Sequence, residues 1–197
     1  MTYQAAITKG TDGAPLVLTF HGTGATEDQF HEVASALKPG AHVVSPRGDV
    51  SENGALRYFR RTGEGVYDMD DLARRTQAMA GFIAEQKARV DAPEVIGLGY
   101  SNGANILASV SFSAPELVDR LVLMHPLIPF APAPQPGLSG RKVLVTAGRQ
   151  DPICPAASTE RLVAWFEAQG AAVTVAWHPG GHEIRQEEVE AISAFLT

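Results

Sequence analysis

The sequence predicts an α/β fold: a mostly parallel sheet of about seven strands with helices on both faces, in one domain over residues 1–197. Three observations predict it. Short apolar runs recur along the chain, and most are continuously apolar, as strands buried on both faces of a parallel sheet are. Segments of helical period lie between them. No internal repeat or linker interrupts the alternation, which is the pattern of a doubly wound sheet.

The apolar runs stand at Leu16–Phe20 and at residues 42–45, 94–99, 121–125, 142–147 and 173–177, with residues 3–7 as an added edge strand. Thr26 and Gln29 have the spacing of a capping box, with Phe30, Val33 and Leu37 on one helical face behind it. Residues 70–88 read as a longer helix and residues 104–110 as the next. Leu162, Trp165 and Phe166 mark a fourth, closed by Gly170 at C′. Val189, Ile192 and Leu196 mark the last. Residues 47–65, without clear periodicity, and the Pro- and Gly-rich residues 126–140 read as loops. Loops of that length in compact domains are usually functional or disordered.

Bulk properties exclude several classes. The 197 residues are 45% hydrophobic, enough for a full core. A net charge of −6 gives no attraction to nucleic acid or anionic lipid. The lone cysteine, Cys154, allows no internal disulfide. No segment has the pattern of an export signal or the length of a membrane span, so a cytoplasmic protein is expected.

The chemistry centres on Gly99-Tyr100-Ser101-Asn102-Gly103. Alone this pattern is weak, since chance gives about 0.1 such matches in this composition. Its context is strong, because a strand ends where it begins and a helix starts where it ends. A serine at such a turn is a nucleophile elbow, lifted clear of the sheet at a helix N-terminus. A serine hydroxyl needs an adjacent base. Asp151 and His182 each follow a predicted strand, in the order serine, acid, histidine. Both fall at the carboxyl edge of the sheet, where sites of open α/β sheets form. His178 is the rival base, but it sits at a strand end before Pro179. The backbone N–H of Asn102 is one donor for a developing oxyanion. Thr23, within His21-Gly22-Thr23-Gly24 after the first parallel strand, is the candidate for the second.

The remaining residues have plainer readings. Tyr58, Phe59 and Ile153 are the candidates for substrate-binding walls, and for Tyr58 and Phe59 anchoring the loop to the core is an equal alternative. Arg57, Arg60 and Arg61 read as a solvated loop face. Cys154 reads as a small packing residue, and His21 and His125 as hydrogen-bonded structural histidines. No His, Cys or Asp cluster has metal-ligand spacing, and no cofactor is expected.

These segments carry a resemblance. The chain resembles α/β-hydrolase esterases of the phospholipase/carboxylesterase group, related to acyl-protein thioesterases and dienelactone-hydrolase-like enzymes. The matching segments are HGTGATEDQF at 21–30, SPRG at 45–48, RYFRR at 57–61, GYSNGANI at 99–106, GRQDPICP at 148–155 and HPGGHE at 178–183. The resemblance implies a catalytic triad of Ser101, Asp151 and His182, oxyanion donors at Thr23 and Asn102, and hydrolysis without metal or organic cofactor. The chain is short for that fold and has no large cap domain. The expected function is hydrolysis of carboxylic esters of short or medium acyl chains through an acyl-enzyme. A thioesterase or lactone hydrolase would use the same residues. A non-catalytic ligand-binding protein on this fold is the reading from another class, and such proteins typically lose a triad member. The expected partner is a small-molecule ester, not a nucleic acid or a membrane, and a homodimer is left open.

Overall fold

The computed structural model describes residues 3–197. Its strands are β1 (Ala5–Thr8), β2 (Leu16–Phe20), β3 (His42–Pro46), β4 (Val50–Glu52), β5 (Ala55–Arg57), β6 (Arg61–Gly63), β7 (Val66–Tyr67), β8 (Val95–Tyr100), β9 (Arg120–Met124), β10 (Lys142–Gly148) and β11 (Ala172–His178). The helices are α1 (His31–Leu37), α2 (Met69–Val90), α3 (Asn102–Ser113), α4 (Ala156–Ala168) and α5 (Gln186–Leu196). Seven strands form one sheet in the order β1-β3-β2-β8-β9-β10-β11. Only β1 runs antiparallel to its neighbour. The edge strand and the six apolar runs are therefore all strands of this sheet.

Period-two alternation within the buried strands divides the core into two layers. Leu16, Leu18 and Phe20 of β2, Leu121 and Leu123 of β9, and Val143 and Val145 of β10 face α2, α3 and α4. Val17, Ile96, Val122 and Leu144 face the opposite side, against Ala34 of α1 and Ile192 and Leu196 of α5. Each such fully buried Leu or Ile contributes about 1.5–3 kcal/mol over an exposed one. Both faces of β2, β8, β9 and β10 are covered, which is why these strands read as unbroken apolar runs.

Two expectations are corrected. Thr26 and Gln29 do not form a capping box. The helix starts at His31 with no side-chain cap, and the Gln29 Oε1 instead accepts the Gly22 N–H at 2.8 Å. Residues 47–65 are not an irregular loop, since β4 pairs with β5 and β6 with β7 as two antiparallel hairpins. Asn53 and Gly54, both at positive φ, make the first turn. Asn-Gly is the strongest short hairpin signal because both central residues of that turn must be left-handed. Gly170, at φ +80°, closes α4 as expected. Among the described residues, no helix is long and apolar enough to cross a membrane.

The chain runs from β2 out to β3 and then returns to β8 on the other side of β2. This reversal is a topological switch point, where open α/β sheets leave a crevice beyond the strand ends. Phe20, the last residue of β2, pairs with Gly99 near the end of β8. The segments that follow them are thereby brought together. Gly103 shows how tight that approach is. A Cβ there would lie 2.3 Å from the Phe20 carbonyl oxygen and 2.5 Å from that of His21. Backbone cannot yield as a flexible side chain does. Gly103→Ala is therefore expected to destabilise by about 1–3 kcal/mol or more. Urea unfolding checks this: the midpoint should fall with the slope unchanged. An unaltered midpoint would show that the contact relaxes freely.

Candidate active site

Ser101 sits between β8 and α3 with φ +52° and ψ −115°. A non-glycine residue at positive φ costs about 1–3 kcal/mol and persists only where its surroundings hold it. Here the Ser101 N–H donates to the Met124 carbonyl at 2.9 Å and its own carbonyl accepts from Asn105 at 3.0 Å. Gly99 is needed as well, because a Cβ there would lie 2.6 Å from the Gly103 carbonyl oxygen.

Asp151 and His182 enter on loops that lock together. The Arg149 N–H donates to the His178 carbonyl at 2.8 Å, and the Gln150 N–H to that of Gly180 at 2.9 Å. A Cβ on Gly148 would lie 2.0 Å from the Gly181 carbonyl oxygen. Asp151 Oδ2 then accepts from His182 Nδ1 at 2.7 Å, and His182 Nε2 meets Ser101 Oγ at 3.0 Å. An ionised carboxylate only accepts, so Nδ1 carries the proton and Nε2 turns its lone pair to the serine hydroxyl. Burial alone would raise the pKa of Asp151. Hydrogen bonds from the Cys154 N–H, His125, His182 and the Ile153 N–H outweigh this and hold it below the usual carboxylate range. His178 is not brought to Ser101. It is buried, its Nδ1 accepts the Gly180 N–H, and its Nε2 faces Glu188 Oε2 at 3.2 Å.

The loop after β2 is fastened from three sides. The Gly48 N–H donates to His21 Nε2 at 2.9 Å, which leaves Nδ1 to donate to the Gly22 carbonyl at 2.7 Å. Burial lowers the His21 pKa, in keeping with a neutral ring. Gln29 holds the Gly22 N–H, and Arg57 Nη1 donates to Thr23 Oγ1 at 2.9 Å. Thr23 and Asn102 make no hydrogen bond from their backbone N–H to a protein acceptor among the described residues. The N–H of Asn102 is one of the orphan donors at the start of α3.

A cavity of about 360 Å³ opens beside Ser101. Thr23, Asn102, Ile153 and His182 line it, as do Tyr67, Asn105 and Leu127. Ile153 is 40% exposed at this cleft. Tyr58 and Phe59 are not pocket walls: both are fully buried. The Tyr58 hydroxyl donates to the Pro46 carbonyl and its N–H donates to Asn102 Oδ1, while Phe59 packs edge-on against Tyr67. Nor are the three arginines one solvated face. Arg60 is exposed and pairs with Asp68 and Asp71, whereas Arg57 is buried and Arg61 pairs with Glu52 beside the cleft. Asn105 lies outside the residues singled out from the sequence. Its Oδ1 accepts the Leu127 N–H and its Nδ2 donates to the Tyr67 hydroxyl, fastening two walls. Its position four residues after Ser101, one helical turn on, was the available signal. Cys154 is buried as expected, its thiol donating to the His125 carbonyl, and burial pushes its pKa up.

A mostly parallel seven-stranded sheet of this order, with serine after β8, acid after β10 and histidine after β11, has the α/β-hydrolase fold. The chain belongs to the dienelactone hydrolase family, whose model matches residues 47–191, and it is a hydrolase. It is 38% identical over 184 residues to MhqD of Bacillus subtilis, a protein that carries a hydrolase name, with 92% of each chain covered. Among solved structures, a protein of unknown function from Agrobacterium tumefaciens, Atu2452, is 53% identical with a TM-score of 0.93. The match covers 98% of this chain and 95% of that one. A Bacillus cereus carboxylesterase is 36% identical with a TM-score of 0.91, covering 98% and 93%.

Proposed function

We propose that the protein is a serine esterase that cleaves carboxylic esters of short or medium acyl chains through an acyl-enzyme. The observation that carries this reading is the unbroken line from Ser101 Oγ through His182 to Asp151, at 3.0 and 2.7 Å. In the proposed reaction Ser101 attacks the acyl carbonyl while His182 Nε2 takes its proton. Asp151 keeps the imidazole in the required tautomer and stabilises the imidazolium that forms. The N–H groups of Thr23 and Asn102 receive the oxyanion. His182 returns its proton to the leaving alkoxide, and water then releases the acid by the same steps. The likeness to a carboxylesterase at 36% identity supports an oxygen ester over a thioester, and the family match makes a cyclic ester, a lactone, the second reading.

The size limit comes from the walls. The cleft has few apolar side chains beyond Leu127, Ile153, Tyr67 and Tyr100, and Arg57, Arg61 and Glu64 border it. Ile128 and Phe130 line a separate depression with Leu162 and Trp165. Each buried methylene contributes about 0.8 kcal/mol, roughly fourfold in kcat/KM per carbon. On soluble aryl esters of increasing acyl length, kcat/KM should climb over the first few carbons and then level off. A steady rise through the longest soluble chain, or activation at a lipid interface, would overturn the size limit. No turnover of any ester in the series would overturn the esterase reading itself.

A further inference from the structure

Behind Asp151 lies a buried ionic cluster that the reaction above does not use. His125 follows β9 with φ +49°, a strained backbone for a non-glycine residue, and its side chain is wholly buried. Its Nδ1 is 2.9 Å from Asp151 Oδ2, the oxygen that also receives His182. Its Nε2 is 3.1 Å from Glu188 Oε1. That second approach lies off the line of an ideal hydrogen bond, so its attraction is chiefly that of charge for charge.

The proton inventory follows from the partners. His178 Nδ1 accepts the Gly180 N–H, so His178 is neutral with its proton on Nε2, toward Glu188. Glu188 is held as a carboxylate by the Thr146 hydroxyl and the Arg185 N–H. A neutral His125 would turn a nitrogen lone pair onto one carboxylate or the other, leaving two buried negative charges with one proton between them. An imidazolium faces a proton to each. Burial alone would favour neutral His125, but the Glu188 and Asp151 carboxylates outweigh it and raise its pKa. The other groups around the ring are His182 and His178, with ring centroids 5.1 and 5.4 Å away, Tyr100 edge-on at 5.8 Å, and the Cys154 thiol on its carbonyl. None of these adds a positive charge that would displace the imidazolium while His182 is neutral.

We propose that His125 is a positioning residue: a buried imidazolium between Asp151 and Glu188 that offsets part of the Asp151 charge and keeps His182 a neutral base to lower pH. It fixes the Asp151 carboxylate from the side opposite His182. The proposal rests on the Ser101–His182–Asp151 reading given above. Its sign is definite. Removing the cation lets Asp151 act on His182 with its full charge, so His182 protonates more readily.

Two measurements test it. In nitrogen-15 NMR of the wild-type protein, both ring nitrogens of His125 should be of the protonated type at pH 7. One unprotonated nitrogen would overturn the proposal and requires no variant to fold. In His125→Gln, the acid limb of the kcat/KM profile on p-nitrophenyl acetate should move up by at least about half a pH unit, given that charges at this range shift neighbours by one or more. A merely structural role would lower the rate without moving the limb, so an unmoved limb, or one moved down, overturns the proposal. Ser101→Ala separates this from failure of the underlying reading. If Ser101→Ala is inactive and the limb is unmoved, only the role of His125 falls. If Ser101→Ala turns over esters, the reading beneath it falls too.

Discussion

Ser101→Ala is expected to lower kcat/KM on p-nitrophenyl acetate by at least about 10⁴-fold while leaving the urea midpoint nearly unchanged. The hydroxyl makes its hydrogen bond to His182, whereas the turn is held by backbone contacts to Met124 and Asn105. Alanine keeps the Cβ and those contacts and removes only the attacking oxygen. A fluorophosphonate should label the wild type on Ser101 and leave the variant unlabelled. Residual rate over water would come from the oxyanion donors and binding alone. Ester turnover near the wild-type rate, in a variant that unfolds normally, would remove Ser101 from the mechanism.

His182→Ala and His178→Ala form the second test, because the two histidines stand four residues apart and the structure uses them differently. His182→Ala should lose activity by at least about 10⁴-fold, since the members of such a unit fail together. His178→Ala should keep turnover within about tenfold and lose stability instead. Its imidazole accepts the Gly180 N–H and stands 3.2 Å from the Glu188 carboxylate, and removal leaves the Gly180 N–H without its partner at about 1–3 kcal/mol. Steady-state kinetics and urea unfolding on both variants give the ranking, and the reverse ranking would make His178 the base. In the wild type, kcat/KM should fall as pH drops through the histidine range, because imidazolium cannot accept the serine proton. A profile flat between about pH 8 and pH 5 would exclude a histidine base.

What was legible in the sequence and what was not have distinct physical causes. Burial on two faces turned β2, β8, β9 and β10 into unbroken apolar runs, so the sheet could be read directly. The serine, acid and histidine were legible because each stands where a strand ends. Gln29 misled because its spacing from Thr26 suits a cap, while the Gly22 N–H, distant in neither sequence nor space, took its side chain. Asn53-Gly54 did carry a hairpin signal, but its flanking strands are three residues each, too short for alternation to show. Tyr58 and Phe59 could be anchors or walls until Pro46, Asn102 and Tyr67 were placed beside them. Arg57 and Arg61 looked alike as charges in a loop, and only the hairpin pairing buries one of them. Glu188 was least visible. It resembles an ordinary acidic residue in the first turn of the last helix, and nothing local tells of the two histidines, one just after β9 and one at the end of β11, that close over it.

The interlock of Gly148 with Gly180 and Gly181 bears on how such a protein can change. Two peptide segments that share backbone hydrogen bonds and leave no room for one methyl group behave as a single mechanical part. A deletion or insertion in either segment would shift acid and base out of register together, so residues 148–151 and 178–182 can be varied only as one block. The tips of hairpins β4–β5 and β6–β7, Asn53-Gly54 and Glu64-Gly65, are under no such constraint, since a Cβ on Gly54 would meet nothing within 4 Å and one on Gly65 only Leu127 at 3.9 Å. The hairpins supply Arg57, Arg61, Glu64, Gly65 and Tyr67 to the cleft, and each is its own two-stranded sheet, unpaired with the main one. A library aimed at new ester specificities should therefore vary or lengthen the turn at residues 64–65 and leave residues 57–60 and the strand ends alone.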